Sequence, residues 1–210
     1  MPMMTEDKWS RWLNEERWGD HREALQADGT NVHFVTGDAL HCPVADGWAD
    51  AVVMRSVLIY IPDRVAAARE IARILRPGGG RFAGFEPINR KMPQVVQLPR
   101  FEDVDAAWAA GMELNPLTNF DEDDLVAAFR GAGFARVELT MGESPLPMRG
   151  REWAHGIRHG APGGYSGRDM LLMGGLTPER ADEFIAAGER HLGDGWRVMA
   201  CPAAYITAMR

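Results

Sequence analysis

The sequence has little of what secreted, membrane or nucleic-acid-binding proteins need. Only two of its 210 residues are cysteines, Cys42 and Cys201, which is too few for a disulfide framework. No apolar run is long enough to cross a bilayer, and the opening MPMMTEDKWSRWL carries charges where a signal peptide has an apolar core. A formal net charge of −7 repels phosphate backbones. We therefore expect a reduced, cytoplasmic protein whose partners include neither membranes nor nucleic acids.

What is present is the composition of an ordinary globular domain. Hydrophobic residues make up 46% of the chain and charged residues 25%. The length suffices for one sizeable core. Because neither an internal repeat nor a linker is recognisable, we predict a single domain over residues 1–210.

The middle of the chain has the pattern of a βαβ unit. NVHFVTGD and ADAVVMRS are apolar segments typical of strands that are buried on both faces, as in parallel sheets. A helix is predicted from Asp63, whose carboxylate can cap it, to Arg76, and Pro77-Gly78-Gly79 ends it. RFAGFEP follows as the next strand.

The second half continues with helices and strands. DEDDLVAAFRGAG has acids in its first turn and an apolar stripe, which predicts a helix, and ARVELTM predicts a strand. Thr177-Pro178 starts a last helix with proline at its first position. GWRVMA and AAYITAMR are predicted as two closing strands.

An amphipathic helix is predicted near the start of the chain, over residues 7–17. Trp9, Trp12 and Leu13 fall at i, i+3 and i+4 and therefore share one helix face. This face either pins the helix to the core or makes it a lid over a ligand pocket, and the two interpretations are compatible.

The central motifs resemble those of a known family. VHFVTGDALHCPVADGWADAVVMRSVLIYIPD and REIARILRPGGGRFAGFEPIN resemble class I S-adenosylmethionine-dependent methyltransferases, and DKWSRWL and AAYITAMR are similar to the two ends of one bacterial branch. The resemblance implies an α/β, Rossmann-like methyltransferase fold. We expect a shortened parallel sheet of about five strands, an antiparallel C-terminal strand and helices on both faces. The domain then comprises an N-terminal helical lid (1–30), a core (31–141), an active-site insert (142–190) and closing strands (191–210).

The resemblance also implies S-adenosylmethionine as the cofactor. An acid after the third family strand binds the adenine amino group and the next backbone N–H meets the ring, which assigns these roles to Asp38 and Ala39. Arg55 and Ser56 end the following strand, at the carboxyl edge where α/β sheets bind ligands, although they fit a helix-capping pair equally well. We expect the cofactor residues to be Asp38, Ala39, Arg55, Ser56, Trp9 and Trp12.

The family's first glycine-rich loop has no counterpart in this sequence. GDG at 193–195, PGGG at 77–80 and APGGYSG lack the strand-turn-helix context that gives such a motif its meaning. Without the strands that accompany this loop, either the strand NVHFVTGD pairs directly with ADAVVMRS or an apolar sheet edge stays unpaired, and such an edge invites pairing with another chain. A homodimer through this edge is therefore expected.

Three residues are the candidates for catalysis. Tyr60 lies in the segment LIYIPD, where many relatives have a histidine, and Glu86 ends a strand at the carboxyl edge. His155 would share a helix face with Glu152 and His159, which could form an acid–base cluster or a metal face. Because Gly156 and Gly160 weaken that helix, solvent-facing polar residues are the favoured interpretation, and no metal is predicted.

The sequence leaves two functions open, beside a third interpretation, an internally deleted gene product with no activity. The first is an S-adenosylmethionine-dependent methyltransferase-like protein that acts on a small-molecule metabolite. The alternative is a protein of the same fold that has lost the cofactor and acts as an S-adenosylmethionine-independent cyclase, a rearrangement enzyme or a ligand binder.

Overall fold

The computed structural model describes residue 33 and residues 35–92, 96–160 and 165–210. The chain divides into two compact units, Met1–Pro43 and Val44–Arg210, and every helix and strand named below belongs to the second. The predicted helix over 7–17, with Trp9 and Trp12, lies outside the described residues. Within the described ranges, none of the helices is both long and apolar enough to cross a membrane.

The described part of Val44–Arg210 contains one sheet of four strands. The strands are β1 (Ala51–Arg55), β2 (Arg81–Pro87), β3 (Arg136–Met148) and β4 (Arg197–Met209). Their order is β1-β2-β4-β3. β1 and β2 are parallel, whereas β4 runs antiparallel to both of its neighbours. The α/β class and the antiparallel C-terminal strand predicted from the sequence are confirmed.

Six helices accompany the sheet in the described residues. They are α1 (Arg64–Ile74), α2 (Glu102–Leu114), α3 (Glu122–Gly131), α4 (Gly150–His159), α5 (Gly167–Met173) and α6 (Pro178–Leu192). The predicted cap of α1 is confirmed, because Asp63 Oδ1 accepts the N–H of Ala66 at 2.9 Å. Thr177 caps α6 and Pro178 occupies its first turn, also as predicted.

The closing segment differs from the sequence-based expectation, because residues 197–209 form one strand and not two. Pro202 lies between the two predicted strands and has no N–H to donate. Its carbonyl accepts the N–H of Ile88 at 2.9 Å, on the β2 side of β4. The register of β2 with β4 ends at Pro87 opposite Ala203, so the ladder needs no donor from Pro202 and the strand continues. The strand expected over 31–38 is described only in part: residues 35–37 have no regular structure, and Asp38 forms an isolated bridge with His41.

The sheet and the helices bury two sets of side chains. Beneath the sheet, Phe82 of β2 stacks on Phe129 of α3 with ring centroids 4.5 Å apart. A second cluster lies within α2, α4, α5 and α6, which we call the helical layer. Its buried members include Val104, Trp153, Leu171, Phe184 and Ile185. Burial of apolar surface is the main stabilising term of both clusters.

A two-stranded ribbon connects the sheet to the helical layer. β3 and β4 pair over their whole lengths, from Arg136 opposite Met209 to Met148 opposite Arg197. β2 accompanies β4 only as far as Ala203, so the remainder of the pair projects past the carboxyl end of β2. Met148, at the end of this ribbon, belongs to the buried cluster of the helical layer. The helical layer is thus attached beyond the sheet edge at which parallel strands present their carboxyl ends.

Candidate functional site

The candidate site is built on the carboxyl ends of β1 and β2. Because the two strands are parallel, with Arg55 opposite Phe85, their last residues meet at one edge of the sheet. The segment that follows β1, residues 56–63, crosses this edge before α1 begins at Arg64. It contains a single 3₁₀ turn, Leu58–Tyr60. Open α/β sheets bind ligands at such edges.

Glu86 is completely buried at this edge, with 0% of its surface exposed. Its Oε1 accepts the N–H of Val57 at 3.0 Å and its Oε2 accepts the N–H of Ile59 at 3.2 Å. Burial raises the pKa of this carboxyl, and the backbone N–H donors and the charge of Arg64 oppose that rise. Glu86 lies where the sequence predicted it, and the structure shows it bound to the turn after β1. Its catalytic role stays a prediction.

Arg55 and Ser56 are at the end of β1, as expected from the sequence. The Arg55 guanidinium lies 5.2 Å from the centroid of the Phe85 ring. Ser56 has a φ of 54°, a left-handed conformation that is uncommon for residues other than glycine. Its N–H donates to the Phe85 carbonyl at 2.8 Å, which extends the β1–β2 ladder by one bond. Their assignment as cofactor ligands stays a prediction.

Tyr60 closes the 3₁₀ turn and remains 37% exposed, so its ring is accessible at the edge. Partial burial, and secondarily the negative charge of Glu86, raises the pKa of its phenol. The hydroxyl therefore stays protonated at neutral pH, which suits a hydrogen-bond donor better than a general base.

Arg64 is a residue that the sequence analysis missed. Its Nη2 donates to the carbonyls of Pro116 and Leu117, both at 3.2 Å, and its guanidinium lies 3.8 Å from the centroid of the Phe120 ring. Its Nε is buried without a hydrogen-bond partner. Burial lowers the pKa of Arg64, against the attraction of Asp124 and Glu86. The available signal was its position, since the first turn of a helix normally disfavours a cation.

Asp38 and Ala39 lie in a tight turn of the first unit. The backbone N–H of Leu40 donates to Asp38 Oδ1 at 2.9 Å, and the N–H of His41 donates to the Asp38 carbonyl at 3.0 Å. Asp38 Oδ2 lies 3.7 Å from His41 Nδ1, and 64% of the Asp38 side chain is exposed. An exposed carboxylate held by its own turn can accept hydrogen bonds from a ligand amino group. These two residues therefore fit the adenine contacts implied by the resemblance.

The structure assigns His155 to the helical layer and not to the strand ends. Its helix, α4, packs on α5 and α6. His155 and His159 have ring centroids 4.5 Å apart on an exposed face, whereas Glu152 is paired with Arg149 and Arg151. The described residues contain no group of three or more ligands that could hold a metal ion. The catalytic role of His155 stays a prediction.

Comparison with known proteins points to methyltransferases. Residues 13–82 match the family model of a methyltransferase domain. The chain is 40% identical over 123 residues to the methyltransferase GfsG of Streptomyces halstedii, a match that covers 57% of this chain and 41% of the relative. It is 31% identical over 121 residues to a demethylmenaquinone methyltransferase of Staphylococcus haemolyticus, covering 52% of this chain and 50% of that protein. The chain thus spans about half the length of the curated relatives that it matches.

A solved structure supports the fold. The chain matches a protein from Anabaena variabilis, described as a methyltransferase from an antibiotic biosynthesis pathway, with a TM-score of 0.50 and 14% identity. The match covers 85% of this chain and 75% of that one. At this identity the likeness bears on the fold alone. The match of residues 13–82 and the similarity to these relatives support membership of the class I S-adenosylmethionine-dependent methyltransferase family.

Proposed function

We propose that this protein is an S-adenosylmethionine-dependent methyltransferase that acts on a small-molecule metabolite. The observation that carries the proposal is the match of residues 13–82 to the methyltransferase domain, which includes the Asp38-Ala39 turn, β1 and α1. The geometry supports it, because the ordered segment after β1 presents the accessible Tyr60 at the carboxyl edge of the sheet.

Asp38 and Ala39 are the residues that would hold the adenine, through the Asp38 carboxylate and the Ala39 N–H. Arg55 and Ser56 would contact the cofactor from the end of β1. Trp9 and Trp12 are proposed as further contacts, although they lie outside the described residues. The bound cofactor would supply an electrophilic methyl group. The protein's share of catalysis is then mainly alignment, which can provide most of the rate of such a transfer.

Tyr60 is proposed to orient the methyl acceptor. A phenol whose pKa is raised by burial keeps its proton, so it can donate a hydrogen bond to an oxygen of the acceptor. Demethylmenaquinone methyltransferases recur among the relatives. Demethylmenaquinone is therefore the first acceptor to test, within a broader class of small oxygen-bearing metabolites.

The deciding experiment is a calorimetric titration with S-adenosylhomocysteine. We expect binding by the wild type, loss of binding in Asp38→Ala, and retention in the control Asp50→Ala, which removes another exposed aspartate, one that pairs with Arg76. Transfer of labelled methyl to demethylmenaquinone would then define the acceptor. Absence of binding by the folded wild-type protein would refute the proposal and favour the cofactor-independent cyclase, rearrangement enzyme or ligand binder.

A further inference from the structure

Residues 56–63, between β1 and α1, are shaped by contacts from two sides. At the start of the segment, Ser56 adopts its left-handed conformation and bonds to the Phe85 carbonyl. At its end, Asp63 caps α1 through Ala66. A non-glycine residue in a left-handed conformation persists only where its surroundings impose it, so this segment is held in place by neighbouring groups.

The first holding group is the Glu86 carboxylate. It has no exposed surface, and each of its two oxygens accepts a backbone N–H from the turn, one from Val57 and one from Ile59. Both oxygens of this carboxylate are thus engaged by the backbone of the turn. The carboxylate fixes the backbone on either side of Leu58, immediately before Tyr60, because charged acceptors form the stronger hydrogen bonds.

The second holding group is the Arg64 guanidinium. It fastens the far end of the segment to the connection between α2 and α3, through the carbonyls of Pro116 and Leu117 and the face of Phe120. The planar fork of arginine can bond two carbonyls and stack on a ring at the same time, which lysine cannot do. Arg64 also attracts Glu86 electrostatically, so the two holding groups support one another.

We propose that Glu86 and Arg64 are positioning residues that clamp residues 56–63 from opposite ends and thereby hold Tyr60 at the carboxyl edge. Glu86 acts through the backbone of the turn and Arg64 through the start of α1. The use of this clamp in orienting a methyl acceptor rests on the proposed function. The clamp itself does not depend on cofactor or acceptor.

Hydrogen exchange measured on the ligand-free protein tests the clamp. In Glu86→Gln one oxygen acceptor becomes an amide donor, so a backbone N–H of the turn loses its partner. We expect the amides of residues 57–60 to exchange at least about tenfold faster, with protection of β2 and β4 unchanged. The matched control is Glu70→Gln, the same change at another buried carboxylate, which pairs with Arg73. Equal exchange of the turn in both variants would overturn the proposal.

Two further measurements separate positioning from a purely structural role. Tyr60 should titrate at lower pH in Glu86→Gln than in the wild type, by carbon-13 NMR of the phenol, because the nearby negative charge is gone. If Glu86→Gln fails to fold, Arg64→Lys serves instead. It keeps the charge but loses the planar guanidinium, and faster amide exchange of residues 63–66 is expected. Unchanged exchange there would contradict the clamp. A wild type that does not bind S-adenosylhomocysteine would refute the proposed function alone and leave these results standing.

Discussion

Replacing Gly111 with alanine tests how closely α2 and α5 approach in the helical layer. A Cβ atom at Gly111 would lie 2.0 Å from the carbonyl oxygen of Met170. A Cβ atom at Gly174 would lie 1.8 Å from the carbonyl oxygen of Ala107. The backbones of α2 and of the end of α5 are therefore in direct contact at both glycines. Since ordinary contact begins at 3.4 Å, Gly111→Ala requires the two backbones to separate by about 1.4 Å (3.4 − 2.0).

The size of the effect follows from two opposing terms. Overpacking typically costs about 1–3 kcal/mol, and a clash with backbone on both sides belongs at about 3 kcal/mol. Replacing glycine with alanine within a helix stabilises the helix by about 1 kcal/mol. We expect a net loss of about 2 kcal/mol in the free energy of unfolding, which lowers Tm by about 4–8 °C for a chain of this length.

Circular dichroism during thermal and urea unfolding measures this loss. The control is Gly156→Ala in α4, where nothing lies within 4 Å of the added Cβ. That variant should be stabilised by up to about 1 kcal/mol, because only the helix-propensity term remains. If both variants gained stability equally, the close approach of α2 and α5 would be refuted.

Three further predictions follow from individual residues. Asp63→Ala removes the cap of α1 and should cost about 1 kcal/mol in urea unfolding, a loss that Asp63→Asn should largely avoid. The pKa of Glu86 is higher in the folded protein than in the unfolded chain. The protonated carboxyl therefore stabilises the fold fully at pH values below the pKa in the unfolded chain, and this contribution is lost as the pH rises through the pKa in the folded protein. The free energy of unfolding of the wild type should therefore fall relative to that of Glu86→Gln between acid and neutral pH. A difference in this free energy that stays constant with pH would contradict the raised pKa. Val53, 78% exposed on β1, is expected to face a second copy, so light scattering should detect a dimer that Val53→Lys weakens; a monodisperse wild-type monomer would argue against it.

Local patterns were sufficient to predict most of the elements of the second unit. The Asp63 cap of α1, the acidic first turn of α3 and Thr177-Pro178 at α6 are short-range signals, and the three helices begin where the sequence put them. The predicted glycine-closed end of α1 at Arg76 was wrong, because the helix ends at Ile74 with an extended Leu75 as its C-cap. The two closing strands predicted on either side of Pro202 are one strand, because the effect of a missing N–H depends on which neighbouring strand it would have faced.

The site was only partly predictable, because part of its geometry also depends on neighbouring segments and not on local sequence. The sequence located Arg55, Ser56 and Glu86 at the carboxyl edge, because parallel strands bring their ends together whatever the details of packing. That Glu86 turns inward onto the N–H groups of Val57 and Ile59 depends on contacts 29 and 27 residues apart in the chain.

By itself, the sequence determined the resemblance to methyltransferases, the α/β class and the positions of most helices and strands. These follow from recognisable motifs, periodicity and capping within a few residues. Only the tertiary structure decided that Arg64 reaches the carbonyls of Pro116 and Leu117, and that His155 belongs to the helical layer instead of the strand ends. Those contacts join segments that are distant in the chain, and the packing that brings them together leaves no local signal.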